Sequence, residues 1–194
     1  MSRRLTLKWI LPDWLDEYAR PLDRHIPDVN DRMKLVIDLA TRNVANRTGG
    51  PFGAAVFARE SGLLIAVGVN SVIPSLCSHA HAEMVALALA QQRLKAYDLG
   101  AAGFPVHELV TSCEPCAMCF GAILWSGIRS LVCGARSDDA RVIGFDEGPR
   151  VSRWTKELER RGIAVMTDVQ RAAAREVLRA YKRGGGKIYN PRQV

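Results

Sequence analysis

Apolar residues recur along the chain at two different spacings, which together predict an alternation of helices and strands. Between Asp28 and Asn46 they lie three and four positions apart, and this spacing predicts one long helix capped by Asp28. Residues 54–58 and 63–69 are two short apolar runs separated by a turn that contains glycine, which is typical of a β-hairpin.

The rest of the chain continues this alternation. A hairpin followed by alternating helices and strands indicates a three-layer α/β/α fold, with a mixed sheet of about five strands and helices on both faces. We expect one domain over residues 1–194, with a core at about 31–150, an N-terminal helical extension at 1–27, and C-terminal helices and a tail at 151–194. Further helices are predicted over residues 12–20, 80–96, 116–126, 152–161 and 168–182, and further strands over 106–112, 130–134 and 163–166, with a loop at 144–149.

The composition is that of an ordinary soluble protein, with 48% hydrophobic and 24% charged residues among 194. No run is long enough to span a bilayer, and Lys8 and Pro12 interrupt the apolar N-terminal stretch, which is therefore a poor secretory signal. We expect a cytoplasmic protein without a membrane partner. The five cysteines are an odd number, which argues against a disulfide framework and leaves thiols available for a metal.

The positive charge is concentrated at the C-terminal end. From Arg150 onwards there are 12 basic and 4 acidic residues, a net of +8, so the preceding residues carry −1 of the total of +7. Solvated helix faces are the ordinary interpretation of this excess, and contact with phosphate groups is the alternative.

Two short motifs indicate a catalytic metal site. His81-Ala82-Glu83 opens one predicted helix, and Pro115-Cys116-Ala117-Met118-Cys119 opens another, with 35 positions between His81 and Cys116. H-x-E followed by P-C-x-x-C is the signature of zinc nucleobase deaminases. A catalytic zinc takes three protein ligands and keeps one position open, which assigns His81, Cys116 and Cys119 as the ligands.

The spacing of these residues suits that chemistry. Cys116 and Cys119 are three apart, so they share a helix face, and the positive end of the helix dipole favours their thiolate forms. Glu83 lies two residues after His81, which places its carboxylate beside the water of the metal and predicts that it moves protons. A closed structural site needs four ligands and no such carboxylate, so Glu83 favours a catalytic site.

Several stretches resemble the purine branch of the cytidine deaminase-like superfamily over about Asp31 to Pro149, and within it the bacterial guanine deaminases. The resemblance implies the cytidine deaminase-like fold, one zinc ion, and hydrolysis of guanine to xanthine and ammonia. The matching stretches are Gly50-Pro51-Phe52-Gly53-Ala54, Asn70, His81-Ala82-Glu83, the segment Cys113 to Cys119, Gly121-Ala122-Ile123-Leu124-Trp125 and Ile143-Gly144-Phe145-Asp146-Glu147-Gly148.

The resemblance also implies roles for residues around the base. Asn70 is expected to hydrogen-bond the purine, with Ala82 as a further contact, and Phe52 and Trp125 are expected to form the walls of the pocket. Tyr189, beyond three glycines, is expected to act as a flap over the site.

An acidic pair in the 144–149 loop is the feature that favours guanine. The resemblance implies that Asp146 and Glu147 meet the edge of guanine, where N1 and the 2-amino group present N–H donors that carboxylates accept. Adenine lacks that paired donor edge. Glu147 is also expected to serve as a second proton shuttle.

Other functions use the same motifs and stay open on sequence alone. They are a tRNA adenosine deaminase that binds RNA through its basic C-terminal helices, a cytidine or deoxycytidylate deaminase, an enzyme for amino-triazines, and a non-catalytic zinc module that binds nucleic acid. The acidic pair argues against an RNA partner, so the expected partner is a small purine. The resemblance implies a homodimer, for which Met84 to Leu89 and Cys116 to Trp125 are candidate contacts.

Overall fold

The structure is a computed structural model that describes residues 8–20 and 23–190. Residues 1–7 and 21–22 of the predicted N-terminal extension, and residues 191–194 of the tail, lie outside the described residues. One sheet contains five strands in the order β2-β1-β3-β4-β5. The strands are β1 (Gly53–Ala58), β2 (Leu63–Val69), β3 (His107–Cys113), β4 (Ser130–Ala135) and β5 (Ala164–Met166).

Helices cover both faces of this sheet, which confirms the predicted three-layer α/β/α architecture. Apolar side chains of α3, α4 and α6 fill one face of the sheet, and those of α2 fill the other. Within the described ranges, no helix is long and apolar enough to cross a bilayer. The helices are α1 (Leu15–Ala19), α2 (Val29–Ala45), α3 (Ala82–Leu94), α4 (Ala117–Ser126), α5 (Ser137–Ile143), α6 (Trp154–Glu159) and α7 (Arg171–Arg183).

The short helix α5 corrects the sequence analysis, which left the chain between β4 and residue 152 without a helix. Its seven residues span two turns, too short for a clear apolar period. The helix forms because the carboxylate of Asp139 accepts the backbone N–H of Arg136 at 2.9 Å and two N–H groups of Arg171 at 2.8 and 3.0 Å. The long-range partner Arg171 is invisible to a local pattern.

Strand directions bring three chain connections to one edge of the sheet. Strand β1 is antiparallel to both β2 and β3, and β3, β4 and β5 are parallel. Strands β2, β3 and β4 therefore end at the same edge, where α3, α4 and α5 follow them. In open α/β sheets, ligand sites lie at this carboxyl edge.

A glycine sets the closeness of α3 to the sheet. A Cβ at Gly68 of β2 would lie 2.3 Å from the carbonyl oxygen of Ala82 and 2.5 Å from the backbone nitrogen of Ala86. Only glycine allows this approach, because any side chain would push the helix outward. Gly68 thereby allows α3, which begins directly after His81, to pack close against β2.

Candidate active site

A cluster of one histidine and two cysteines lies where α3 and α4 begin. His81 is the N-cap of α3, Cys116 is the N-cap of α4, and Cys119 lies in the first turn of α4. Within residues 8–20 and 23–190, this trio is the one group of His, Cys, Asp or Glu side chains placed to hold a metal ion, with all ligand atoms within 4.8 Å.

The distances in the cluster fit a tetrahedral zinc ion. Nδ1 of His81 lies 3.5 Å from Sγ of Cys116 and 3.6 Å from Sγ of Cys119. Zinc with nitrogen at about 2.0 Å and sulfur at about 2.3 Å requires nitrogen and sulfur roughly 3.6 Å apart in tetrahedral geometry. The donor set and its spacing therefore suit the metal that the sequence predicts.

A hydrogen bond links the two thiols, and it shifts their pKa values in opposite directions. A hydrogen bond from the Cys119 thiol, together with His81, lowers the pKa of Cys116 to about 4, against the effect of burial. The same hydrogen bond with Cys116, and burial, raise the pKa of Cys119 well above its usual value. A bound cation would favour the thiolate form of the second cysteine as well, which is the form in which cysteine binds zinc.

Glu83 lies beside this cluster and outside the ligand set. It is the second residue of α3, and only 6% of it is exposed to solvent. Burial, and then the negative charge of Cys116, raise its pKa. A buried carboxyl group held so close to the metal ligands is suited to moving protons.

A cavity of about 380 Å³ opens onto the cluster and is the size of a small-molecule site. It lies at the carboxyl edge of the sheet, where α3 and α4 begin. Eight of the predicted site residues line it: Phe52, Asn70, His81, Glu83, Cys116, Asp146, Glu147 and Tyr189.

A buried amide holds Asn70 in place at this cavity. The side-chain nitrogen of Asn43 donates to the carbonyl oxygens of Gly50 at 2.8 Å and Asn70 at 2.9 Å. A Cβ at Gly49 would lie 1.9 Å from the carbonyl oxygen of Asn70, so the turn before β1 requires glycine there. Asn43 is fully buried and lies outside the motifs, which is why the sequence did not reveal its role.

Glu147 approaches the cavity from the loop after α5. Its side chain is buried, and its carbonyl oxygen accepts the N–H of Ala117 at 3.0 Å, which ties the loop to the start of α4. Burial, followed by the charges of Cys116 and Glu83, raises the pKa of Glu147 to about 8. Glu147 is thus a second buried carboxyl group with a raised pKa on the same cavity as Glu83.

Asp146 lines the cavity but has a structural task as well. Asp146 is exposed to solvent, and its Oδ1 atom accepts the backbone N–H of Gly148 at 2.8 Å. Its own N–H donates to Oδ1 of Asn190 at 2.9 Å. Asp146 therefore stabilises the turn that presents Glu147, and the acidic pair divides into one turn-forming and one buried carboxyl group.

Two residues that were predicted to contact the base, Ala82 and Trp125, do not line the cavity. The side chain of Ala82 is fully buried in the core against the sheet, and Ala82 does not line the cavity. Trp125 does not line it either, because it lies on the outward face of α4 and is 87% exposed. The expected aromatic wall from Trp125 is absent from the cavity within this one chain.

Other aromatic residues form that wall instead. The ring of Phe145 meets Phe52 edge-on at 5.0 Å and stacks on Tyr181 at 6.2 Å. Tyr181 belongs to the apolar stripe of α7 with Ala174 and Leu178, so its spacing indicated core packing and gave no sign of the cavity. Phe145 lay inside a matching stretch, and the resemblance gave no role for it.

Comparison with known proteins agrees with this site. Residues 28–135 match the family described as the cytidine and deoxycytidylate deaminase zinc-binding region, and the chain belongs to that family. It is 38% identical over 131 residues to the guanine deaminase of Bacillus subtilis strain 168, covering 68% of this chain and 80% of that protein.

Solved structures extend the likeness to almost the whole chain. The structure of a guanine deaminase from Nitrosomonas europaea is similar with a TM-score of 0.87 and 52% identity, covering 94% of this chain and 98% of that one. A structure in complex with 2,6-diaminopurine has a TM-score of 0.90 and 53% identity, covering 97% and 98%. Zinc is therefore the cofactor of the family to which this chain belongs, and its ligand residues are present here.

Proposed function

We propose that the protein hydrolyses guanine to xanthine and ammonia, with zinc held by His81, Cys116 and Cys119. The observation that carries this proposal is the meeting of two buried carboxyl groups, Glu83 and Glu147, at one cavity with the metal cluster. The likeness to guanine deaminases over nearly the full chain supports the choice of substrate.

The residues divide the proton transfers between them. Zinc, when bound, supplies a Lewis acid that activates water for attack on the amine-bearing carbon of the base. Glu83 accepts a proton from the attacking water and delivers it to a ring nitrogen. Glu147 takes the proton that the hydroxyl group of the intermediate releases as the carbonyl forms, and it passes this proton to the departing amine. Burial raises the pKa of Glu147, which suits it to holding that proton. The products are xanthine and ammonia, and no oxidant or reductant takes part.

Recognition of the base rests on complementary hydrogen bonds and aromatic faces. The amide of Asn70 bonds the purine ring, and carboxyl oxygens of Glu147 accept from its N–H groups. Phe52 and Phe145 form flat apolar walls on which a purine packs. Adenine places a bare ring nitrogen at the position where guanine has N1–H, so it leaves a buried acceptor without a donor.

We also propose that the protein acts in the cytoplasm as a homodimer, with α4 at the interface. Helix α4 is apolar on nearly all sides, yet only Cys119, Ile123 and Ser126 are buried among its ten residues. Trp125 is 87% exposed on the outward surface, and Met118, which also lines the cavity, is 37% exposed. An apolar surface of this kind is typical of a protein interface. Sedimentation velocity tests it: we expect Trp125→Glu to yield monomers, and a dimeric variant would contradict this interface.

Ammonia release by the purified zinc-loaded protein tests the proposed activity. The substrates are guanine, adenine, cytidine, cytosine and a tRNA anticodon stem-loop, with chelator-treated protein as the control. We expect release from guanine alone and none after chelation. Release from the stem-loop alone would replace the proposal with RNA editing, and release from cytidine alone would assign a pyrimidine enzyme.

A further inference from the structure

Glu114 lies in the chain between strand β3 and the metal ligand Cys116, and it does not line the cavity. It follows β3 directly and precedes Pro115 and Cys116, and only 6% of it is exposed. Its backbone N–H donates to the carbonyl oxygen of Ala135, the last residue of β4, at 2.8 Å. Burying a charged carboxylate is costly unless it is fully paired, so its partners reveal its role.

The partners of Glu114 lie on both sides of the loop that carries Glu147. Its Oε2 atom accepts the backbone N–H of Ser137, the first residue of α5, at 3.0 Å. The same oxygen accepts from Nη2 of Arg150 at 2.7 Å. Helix α5 leads into the 144–149 loop, and Arg150 is the first residue after it. The carboxylate of Glu114 therefore contacts the chain on both sides of this loop.

Arg150 is itself held in place. Its guanidinium carbon lies 5.6 Å from the centre of the Trp154 ring, a cation–π contact. Its side chain is 39% exposed, whereas that of Glu114 is 6% exposed. Water therefore reaches the arginine but hardly the carboxylate, and this partial burial makes the pair stronger than an ordinary surface ion pair.

Two hydrogen bonds to backbone carbonyl oxygens of the loop complete its attachment. The carbonyl oxygen of Glu147 accepts from Ala117, and that of Gly148 accepts from Nη2 of Arg141 at 2.8 Å. These contacts hold the middle of the loop against α4 and α5. Among the described residues, the hydrogen bond from Arg150 ties the end of this loop to the segment that carries Cys116, so we expect its loss to let that end of the loop move.

We propose that Glu114 and Arg150 form a positioning pair that sets the distance between the metal ligands and the carboxyl group of Glu147. The pair rests on the proposed function, since it acts on the reaction only through Glu147. Neither residue touches the substrate. Because Glu114 is two residues from Cys116 and Arg150 is three residues from Glu147, their ion pair links the two proton-transfer sides of the cavity by a short path.

The test compares zinc-loaded wild type with Arg150→Ala, Arg150→Lys and Glu114→Gln. Arg183→Ala is the matched control, because Arg183 is an exposed arginine with an ion pair of similar length, 2.6 Å, to Glu176 on the same molecule. For each variant we would measure kcat and KM for guanine, zinc per chain, and amide hydrogen exchange of the peptide spanning residues 144–150.

Arg150→Ala should lower kcat by about ten- to hundredfold, the usual cost of a misplaced catalytic group, with zinc content unchanged. Exchange in the 144–150 peptide should rise. Arg150→Lys should recover part of kcat, because the ammonium restores the charge without the planar contact to Trp154. Glu114→Gln should resemble Arg150→Ala, and Arg183→Ala should match wild type.

Two results would overturn the pair. Wild-type kcat and exchange in Arg150→Ala would remove its role, and loss of zinc in that variant would show a general structural role instead. If the wild type itself does not act on guanine, the proposed function fails, and the exchange measurement still decides: increased exchange in Arg150→Ala supports the positioning pair, and unchanged exchange rejects it.

Discussion

The two halves of the cavity are built in different ways. The metal half consists of His81, Glu83, Cys116 and Cys119, all at the first turns of α3 and α4, which continue directly from the sheet. The opposite half is the 144–149 loop, which carries Glu147. Side-chain hydrogen bonds of Arg141 in α5, of Arg150 and of Asn190 hold this loop in place. Backbone hydrogen bonds of regular elements fix the metal half. The loop half is fixed by one backbone hydrogen bond, from Ala117 to Glu147, and by individual side-chain contacts.

This difference separates the chemistry from the choice of substrate. Helix starts beside a packed sheet hold metal ligands to the narrow distances that zinc requires. A loop held by separate contacts can present a different side chain to the base without disturbing the core. We therefore expect changes in the metal half to abolish all deamination, and changes in the loop half to act on rate and selectivity while zinc remains bound.

Loss of a metal ligand is the largest expected effect. Cys119→Ala removes one of three ligands, so zinc per chain and guanine turnover should both fall to background. Cys133→Ala is the matched control, since Cys133 is also a fully buried cysteine but lies on β4 outside the cluster. Full zinc occupancy in Cys119→Ala would contradict the assignment of the ligands.

Removal of the carboxyl group of Glu147 should lower turnover almost as much, but it should leave the zinc content unchanged. Glu147→Gln should lower kcat for guanine by about 10²- to 10⁴-fold, the range of a general acid–base group, while metal content stays at one zinc per chain. Asp146→Asn, which keeps an oxygen for the N–H of Gly148, should lose much less. Equal losses in both variants would show that the turn, and not the buried carboxyl group, limits the reaction.

A change at Asn43, which holds Asn70 at the cavity, should alter both the KM for guanine and the stability of the protein. Asn43→Asp points a carboxylate oxygen at the carbonyl oxygens of Gly50 and Asn70, so unfolding free energy should fall by about 1–3 kcal/mol. The KM for guanine should rise more than kcat falls, because Asn70 moves. Asn46→Asp, at the exposed end of α2, is the control for urea unfolding and kinetics. An unchanged KM in Asn43→Asp would separate Asn70 from base binding.

The smallest effect should come from the ion pair that supports α5. A hydrogen bond from Arg171 lowers the pKa of Asp139, so its stabilisation is present at neutral pH and disappears as pH falls through that lowered pKa. Asp139→Asn should cost about 1 kcal/mol at pH 7, and the difference from wild type should shrink below about pH 4. Urea unfolding at both pH values measures it, with the exposed Glu176→Gln as the control. A difference that persists in acid would point to lost packing instead.

The sequence predicts the metal half well because its signals are local. Within each of the two motifs, the ligand spacing and the helix-start chemistry lie within a few residues of one another, and the structure brings the two motifs together. The five strands also follow from local apolar runs, and their order β2-β1-β3-β4-β5 came only with the structure. The role of each site residue in the reaction stays a prediction until the variants are measured.

The loop half is less predictable because its partners are distant in sequence. Helix α5 depends on Arg171, 32 positions after Asp139, and the wall residue Tyr181 comes from the last helix. Trp125 shows the reverse case: its motif suggested a pocket wall, whereas the outward direction of α4 exposes it. Which way a helical residue faces depends on what packs against the helix, and a short motif does not encode that.

The most direct test of the account is guanine turnover by zinc-loaded Glu83→Gln, measured together with zinc per chain. The amide keeps the size of the side chain but cannot accept and return a proton. The account predicts one zinc per chain and a loss of kcat of about 10²- to 10⁴-fold. Wild-type turnover with zinc in place would contradict the assignment of Glu83 as the proton shuttle, and with it the proposed mechanism.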